Sequence, residues 1–180
     1  MVPMCAACGS VGSSPKQAAQ TLFTAMGKGD VATVRKYTYL DKGDKLSDSK
    51  LEQGVTDVQV GDETKSDSTG SVNVRFKVAG EQKNLTLDMR KDPDSKQWKA
   101  DGSQLFVKAN ADADTVLGGF KIRGEKSPTV LPGTYTARYN GCWYSGTWKE
   151  KLTEIGGTHN MTKYRDSLSA NDGIKTDGKY

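Results

Sequence analysis

Apolar residues fall at a helical spacing in one early stretch of the chain and alternate with polar residues through much of the remainder. Ala18, Ala19, Leu22, Phe23 and Met26 line one face of an α-helix, with Lys16, Gln20 and Thr24 on the other. Ser14-Pro15-Lys16-Gln17 supplies its start: Ser as N-cap, Pro at the first helical position, and Gln three residues on to close a capping box. Gly27 and Gly29 end it. Asp30 caps a second short helix through Val31, Val34 and Tyr37, and Ser47 is expected to cap a third turn carrying Leu51. From Val55 the period becomes two. Val55–Val60, Val72–Val78, Leu85–Met89 and Trp98–Ala100 read as four strands, joined by turns at 64–70, 80–82 and 92–95. One apolar and one wet face predict an antiparallel meander covered on one side by a layer of helices, an α+β arrangement.

Residues 15–102, with Ala18-Ala19-Gln20-Thr21-Leu22-Phe23-Thr24-Ala25-Met26 followed by Gly29-Asp30 and a second short helix, resemble the nuclear transport factor 2-like (cystatin-like) fold, in particular the single-domain lipoproteins of Gram-positive bacteria. The resemblance implies N-terminal helices packed on a curved antiparallel sheet that encloses a conical pocket. Catalytic members of that fold, steroid isomerases and dehydratases, use a buried Asp or His with a Tyr. Residues 15–102 contain no His. Tyr37 and Tyr39 are the nearest pocket donors, and Asp41, Asp57 and Asp88 the nearest bases. Ring packing for Tyr37, and capping, turn or exposed strand positions for the aspartates, account for these residues without chemistry. General acid–base work needs a matched pair within hydrogen-bond reach, and the sequence indicates none.

A second, all-β module is expected over 103–155. Leu105–Val107 and Val116–Ile122 read as strands, and Thr129-Val130-Leu131-Pro132-Gly133-Thr134-Tyr135 resembles the Leu-Pro-Gly-x-Tyr hairpin of small extracellular β-sandwich modules, with Pro-Gly at the centre of a type II turn. Trp143, Tyr144 and Trp148 form either the core of this small sheet or an exposed strip for sugar or peptide. Residues 156–180 are rich in Gly, Asn, Asp, Lys and Thr and read as a polar tail, partly disordered, in which His159 is solvated.

Composition narrows the function classes. The 180 residues are 34% hydrophobic and 27% charged, with a net charge of +4 spread without a dense basic block. Nucleic acid is therefore not an expected partner. No run approaches the ~18 apolar residues of a membrane-spanning helix. No phosphate loop, calcium loop, metal-ligand set or Ser-His-Asp set is visible, and no cofactor is expected.

Three cysteines remain, Cys5, Cys8 and Cys142. Cys5-Ala6-Ala7-Cys8 has the spacing of a redox pair but no strand before it, and a zinc site would need two further ligands. Ala6-Ala7-Cys8-Gly9-Ser10 resembles a bacterial lipobox, with Cys5 where an aliphatic residue is usual and no charged or long apolar segment between Met1 and Met4, so that reading places the signal segment upstream of Met1. Residues 9–14 then form a flexible tether. Cys142 reads as a small buried hydrophobe or, in an oxidising compartment, an intermolecular disulfide. Together these features lead us to expect a non-catalytic lipoprotein, lipidated at Cys8 and anchored to the outer face of a bacterial cell membrane, that binds an envelope protein, a peptide or a small ligand. The second expectation, from another class, is an enzyme or carrier that uses the conical pocket.

Overall fold

A computed structural model describes residues 14–41, 44–111, 114–122, 127–140 and 145–161. Helix α1 (Pro15–Lys28) starts as its sequence dictates: the Ser14 hydroxyl accepts from the backbone N–H of Gln17 at 3.3 Å, and Gly29 closes the helix in the left-handed region at φ 69°. Asp30 caps helix α2 (Val31–Lys36) by accepting from the Thr33 N–H at 3.1 Å.

The first sheet contains β1 (Thr38–Tyr39), β2 (Thr56–Lys65), β3 (Thr69–Val78), β4 (Glu81–Lys91) and β5 (Trp98–Asp101), in the order β1-β5-β4-β3-β2. β2 to β5 are antiparallel neighbours, and β1 is added parallel to β5. Ala79 and Gly80, at φ 48° and 90°, join β3 to β4 in a two-residue turn with the primed geometry that suits strand twist. Alternation then sends Val72, Val74, Phe76, Val78, Leu87, Met89, Trp98 and Ala100 to one face, where α1 covers them with Leu22, Phe23 and Met26. The Phe23 and Phe76 rings stand 4.8 Å apart in this core.

Downstream of a 3₁₀ turn (Gly102–Gln104) the chain builds two smaller sheets. β7 (Thr115–Leu117), β8 (Phe120–Ile122), β10 (Gly133–Asn140) and β11 (Ser145–Leu152) pair in the order β11-β10-β7-β8; β6 (Val107–Asn110), β9 (Thr129–Val130) and β12 (Thr158–Asn160) pair in the order β12-β6-β9. A second apolar cluster gathers Val107, Leu117, Ile122, Val130, Tyr135, Ala137 and Leu152. Phe106 and Leu131 belong instead to the first cluster.

The expected nuclear transport factor 2-like α+β fold is not what the chain adopts. The protein is mostly β: 51% of the described residues are in strands, divided among three sheets, and 17% are helical. One physical reason lies at 44–55, where the expected third helical turn does not form. This segment runs extended because its backbone is taken up by distant strands: Ser47 N–H donates to the Thr129 carbonyl (2.8 Å), Lys50 N–H to Gly118 (2.7 Å), and Thr134 N–H to the Gln53 carbonyl (2.8 Å). The other is the seven strands from β6 onward.

Two further expectations are corrected. Leu131-Pro132-Gly133 does not close a hairpin, since β9 and β10 belong to different sheets and Pro132 lies where the chain crosses between them. Gly133 sits at φ 149°, and a Cβ there would meet the Gln53 carbonyl at 2.4 Å, so the close passage of the 44–55 segment requires glycine. Residues 156–161, read as the start of a polar tail, make a turn and strand β12, with Met161 buried.

Candidate functional site

The side of the first sheet opposite α1 carries the polar half of each strand's alternation. Asn73, Arg75, Asn84, Thr86, Asp88 and Arg90 are exposed there. Cross-strand register places Gln59, Arg75 and Asn84 in one row and Asn73 and Thr86 in the next. Where β2 shifts register between Val60 and Glu63, these rows border an open groove of about 580 Å³, lined by Gln59, Val60, Gly61, Asn73, Val74, Arg75, Asn84, Leu85 and Thr86. Its side chains are held by one another: Thr86 Oγ1 donates to Asn73 Oδ1 at 2.8 Å, and Arg75 Nε to Asn84 Oδ1 at 3.2 Å. Both side-chain amides keep their NH₂ donors free of these bonds, as Arg75 keeps its terminal nitrogens. The groove therefore offers several hydrogen-bond donors, one fixed positive charge and no carboxylate, imidazole, thiol or phenol.

Further along the same face, the Arg90 guanidinium lies 5.2 Å from the centre of the Tyr39 ring. The Tyr39 hydroxyl is buried without a hydrogen bond of normal geometry, and burial, with the Asp101 carboxylate beside it, raises its pKa. Asp101 is itself engaged, accepting from Ser103 N–H and Oγ at 2.9 and 2.7 Å. Asp88 Oδ2 accepts from Gln104 Nε2 at 2.9 Å. Asp57 pairs with Lys77 at 2.7 Å.

No protein-family model, curated protein or solved structure matches this chain.

The residues singled out in the sequence are not gathered into one site. Tyr37 is 3% exposed and packs in the first core, while its carbonyl accepts from the Ala100 N–H at 2.8 Å. Tyr39 stands on the outer face at β1, so the two tyrosines do not share a pocket. The inner face, where a cone would open, is filled by fully buried side chains from α1 and the sheet. Trp148 packs against the second cluster and donates through Nε1 to Glu150. Cys5, Cys8, Cys142, Trp143 and Tyr144 lie outside the described residues.

Sequence reading missed the groove because Gln59, Asn73, Asn84 and Thr86 look like ordinary wet-face residues one by one. The available signal was the density of amides on adjoining strands. It also placed His159 in solvent, whereas the ring is half-buried against Glu150 and Glu154. A carboxylate in phase with Trp148 and Leu152 on the inward-leaning side of β11 was the clue.

Proposed function

We propose that this protein is a non-catalytic binding module of the bacterial cell envelope, tethered through lipid at Cys8, and that the outer-face groove takes a hydroxyl-rich ligand such as a saccharide chain. The observation that carries the reading is the groove's inventory: amides and a hydroxyl pre-set by cross-strand hydrogen bonds, one guanidinium, and no acid–base pair. Side-chain amides supply both donors and acceptors and so match vicinal hydroxyls, while the arginine tolerates or favours an anionic substituent. The backbone of β3 is committed on both sides to β2 and β4, so the centre of the groove offers side chains, while β2 is an edge strand of this sheet. Among the described residues no helix is long and apolar enough to cross a membrane; attachment in this reading is through the lipid at Cys8.

Two measurements test it. Titration of the isotopically labelled protein with a panel of neutral and acidic oligosaccharides should move the amide resonances of Asn73, Asn84 and Thr86, and the double substitution Asn73→Ala, Asn84→Ala should abolish the response with folding intact. Expression from the full-length gene with a clickable fatty acid should label the protein, and Cys8→Ser should remove the label. A panel without any response overturns the ligand class, and an unlabelled protein overturns the anchor.

A further inference from the structure

His159, the chain's one histidine, stands between two carboxylates, one near the end of β11 and one just after it. Its Nδ1 lies 2.7 Å from Glu154 Oε2 and its Nε2 2.6 Å from Glu150 Oε1. A neutral imidazole has a single N–H donor, and a carboxylate only accepts, so both contacts are satisfied together only by the imidazolium. Their lengths are those of charge-assisted hydrogen bonds. The cluster is shielded, with the His159 and Glu150 side chains 15% and 18% exposed and Glu154 at 45%. Each carboxylate is also fixed from elsewhere: Trp148 Nε1 donates to the second oxygen of Glu150, and Thr153 N–H donates to Glu154 at 3.1 Å.

The three residues join separate elements. Glu150 belongs to β11, an edge of the four-stranded sheet, Glu154 to the turn after it, and His159 to β12, an edge of the three-stranded sheet. On β6, the strand paired with β12, Ala109 stands opposite the histidine, and the neighbouring Lys108 is drawn to Asp44 at 3.4 Å. The charges facing the ring are thus Glu150 and Glu154. A three-residue edge strand has little hold of its own.

We propose that Glu150, His159 and Glu154 form a proton-controlled clasp that fastens β12 and the 153–157 turn to β11 while the ring is doubly protonated and releases them when it loses a proton. Deprotonation sets a ring lone pair against a carboxylate and removes the charge that offsets the two glutamates. The hydrogen bond that His159 donates to Glu150 raises the histidine pKa, burial opposes it, and Glu154 adds to the rise. Because the folded-state pKa is above the unfolded one, the stabilisation is complete below about pH 6.5, the ordinary histidine value, and is lost as pH climbs through the raised value. With both glutamates ionised, the clasp is shut below the ordinary histidine value and opens as pH rises through the raised one. Thr153, Glu154 and Ile155 also wall a cleft of about 360 Å³ with Lys83, Asn84 and Leu85. Opening therefore frees a wall beside the groove, whatever the groove binds.

The test is NMR of the full chain labelled with ¹⁵N-histidine between pH 5 and 10, together with hydrogen exchange of the Met161 and Lys108 amides, which donate to the Asn110 and Gly157 carbonyls. Both ring nitrogens should show imidazolium shifts at pH 5, with a titration midpoint above about 6.5. Protection of the two amides, corrected for intrinsic rate and referenced to core amides of β3, should fall about tenfold across that midpoint. Glu150→Gln should lower the midpoint by about one unit, and the exposed Glu154→Gln variant should lower it less. A wild-type midpoint at or below the ordinary value, a midpoint unmoved in both variants, or unchanged protection across the titration overturns the clasp.

Discussion

The Tyr135 hydroxyl donates a 2.7 Å hydrogen bond to the carbonyl of Leu131, four residues back. Both residues are buried, and the bond spans the point where the chain leaves β9 for β10 and so changes sheets. Burial raises the phenol pKa and keeps the hydroxyl a neutral donor at any physiological pH. Tyr135→Phe leaves the Leu131 carbonyl without this partner and should cost about 1–2 kcal/mol, whereas Tyr135→Ala adds a cavity and should cost about 3–5 kcal/mol. Urea denaturation of the two variants checks the difference.

Phe23 and Phe76 join α1 to the first sheet through tilted rings in full burial. Either ring replaced by alanine should cost about 3–5 kcal/mol. A double-mutant cycle should return a coupling of about 0.5–1.5 kcal/mol, the part belonging to the ring pair beyond the area each buries. Strictly additive losses would show that α1 is held by area alone.

How far the sequence revealed this fold depends on the range of the interactions involved. α1 was legible because Ser14, Pro15, Gln17 and Gly29 act on neighbours within one turn, and β3 and β4 because strict alternation joined by a two-residue turn fixes register locally. The 44–55 segment was not, since its course is decided by Thr134, Thr129 and Gly118, more than sixty positions away, and nothing within it signals that those strands will claim its backbone. The Pro132-Gly133 pair misled for the same reason: its turn chemistry is real, but the partners of β9 and β10 are chosen by β6 and β7. The groove depends on a register shift in β2 that leaves no mark on hydrophobic periodicity. The His159 clasp was hidden because a Thr-His-Asn tripeptide reads as surface until β12 is known to lie beside Glu150.

Gly54 is another position where only glycine fits. A Cβ there would stand 2.3 Å from the Met26 carbonyl oxygen and 2.9 Å from that of Gly27, backbone atoms at the end of α1 that cannot rotate away. Gly54→Ala should therefore destabilise by about 2 kcal/mol or more through overpacking. Gly80→Ala, where a Cβ meets nothing within 4 Å, is opposed only by its φ of 90° and should cost less. Thermal unfolding of the pair separates close approach from backbone conformation, and an equal loss in both would count against the close approach.

Asp92 offers a view of the acid limb of stability. Its carboxylate meets Lys99 Nζ and also accepts from the N–H and Oγ of Ser95, at 2.8 and 2.9 Å, which closes the turn between β4 and β5. The Lys99 contact, then the Ser95 bonds, hold its pKa well below the usual carboxylate range. A depressed folded-state pKa stabilises the protein above the unfolded value of about 3.9, and that contribution fades as pH falls from there toward the folded value. Asp92→Asn keeps the side chain's shape and an acceptor for Ser95 but removes the charge that Lys99 requires. The variant should be less stable than wild type at pH 7, and the two should converge as pH drops through the acid range. Urea midpoints measured at pH 7, 5, 4, 3 and 2 provide the comparison. A gap that stays constant to pH 2 would show that Asp92 acts through turn geometry alone, whereas a narrowing gap identifies the charge as what holds the β4–β5 turn closed.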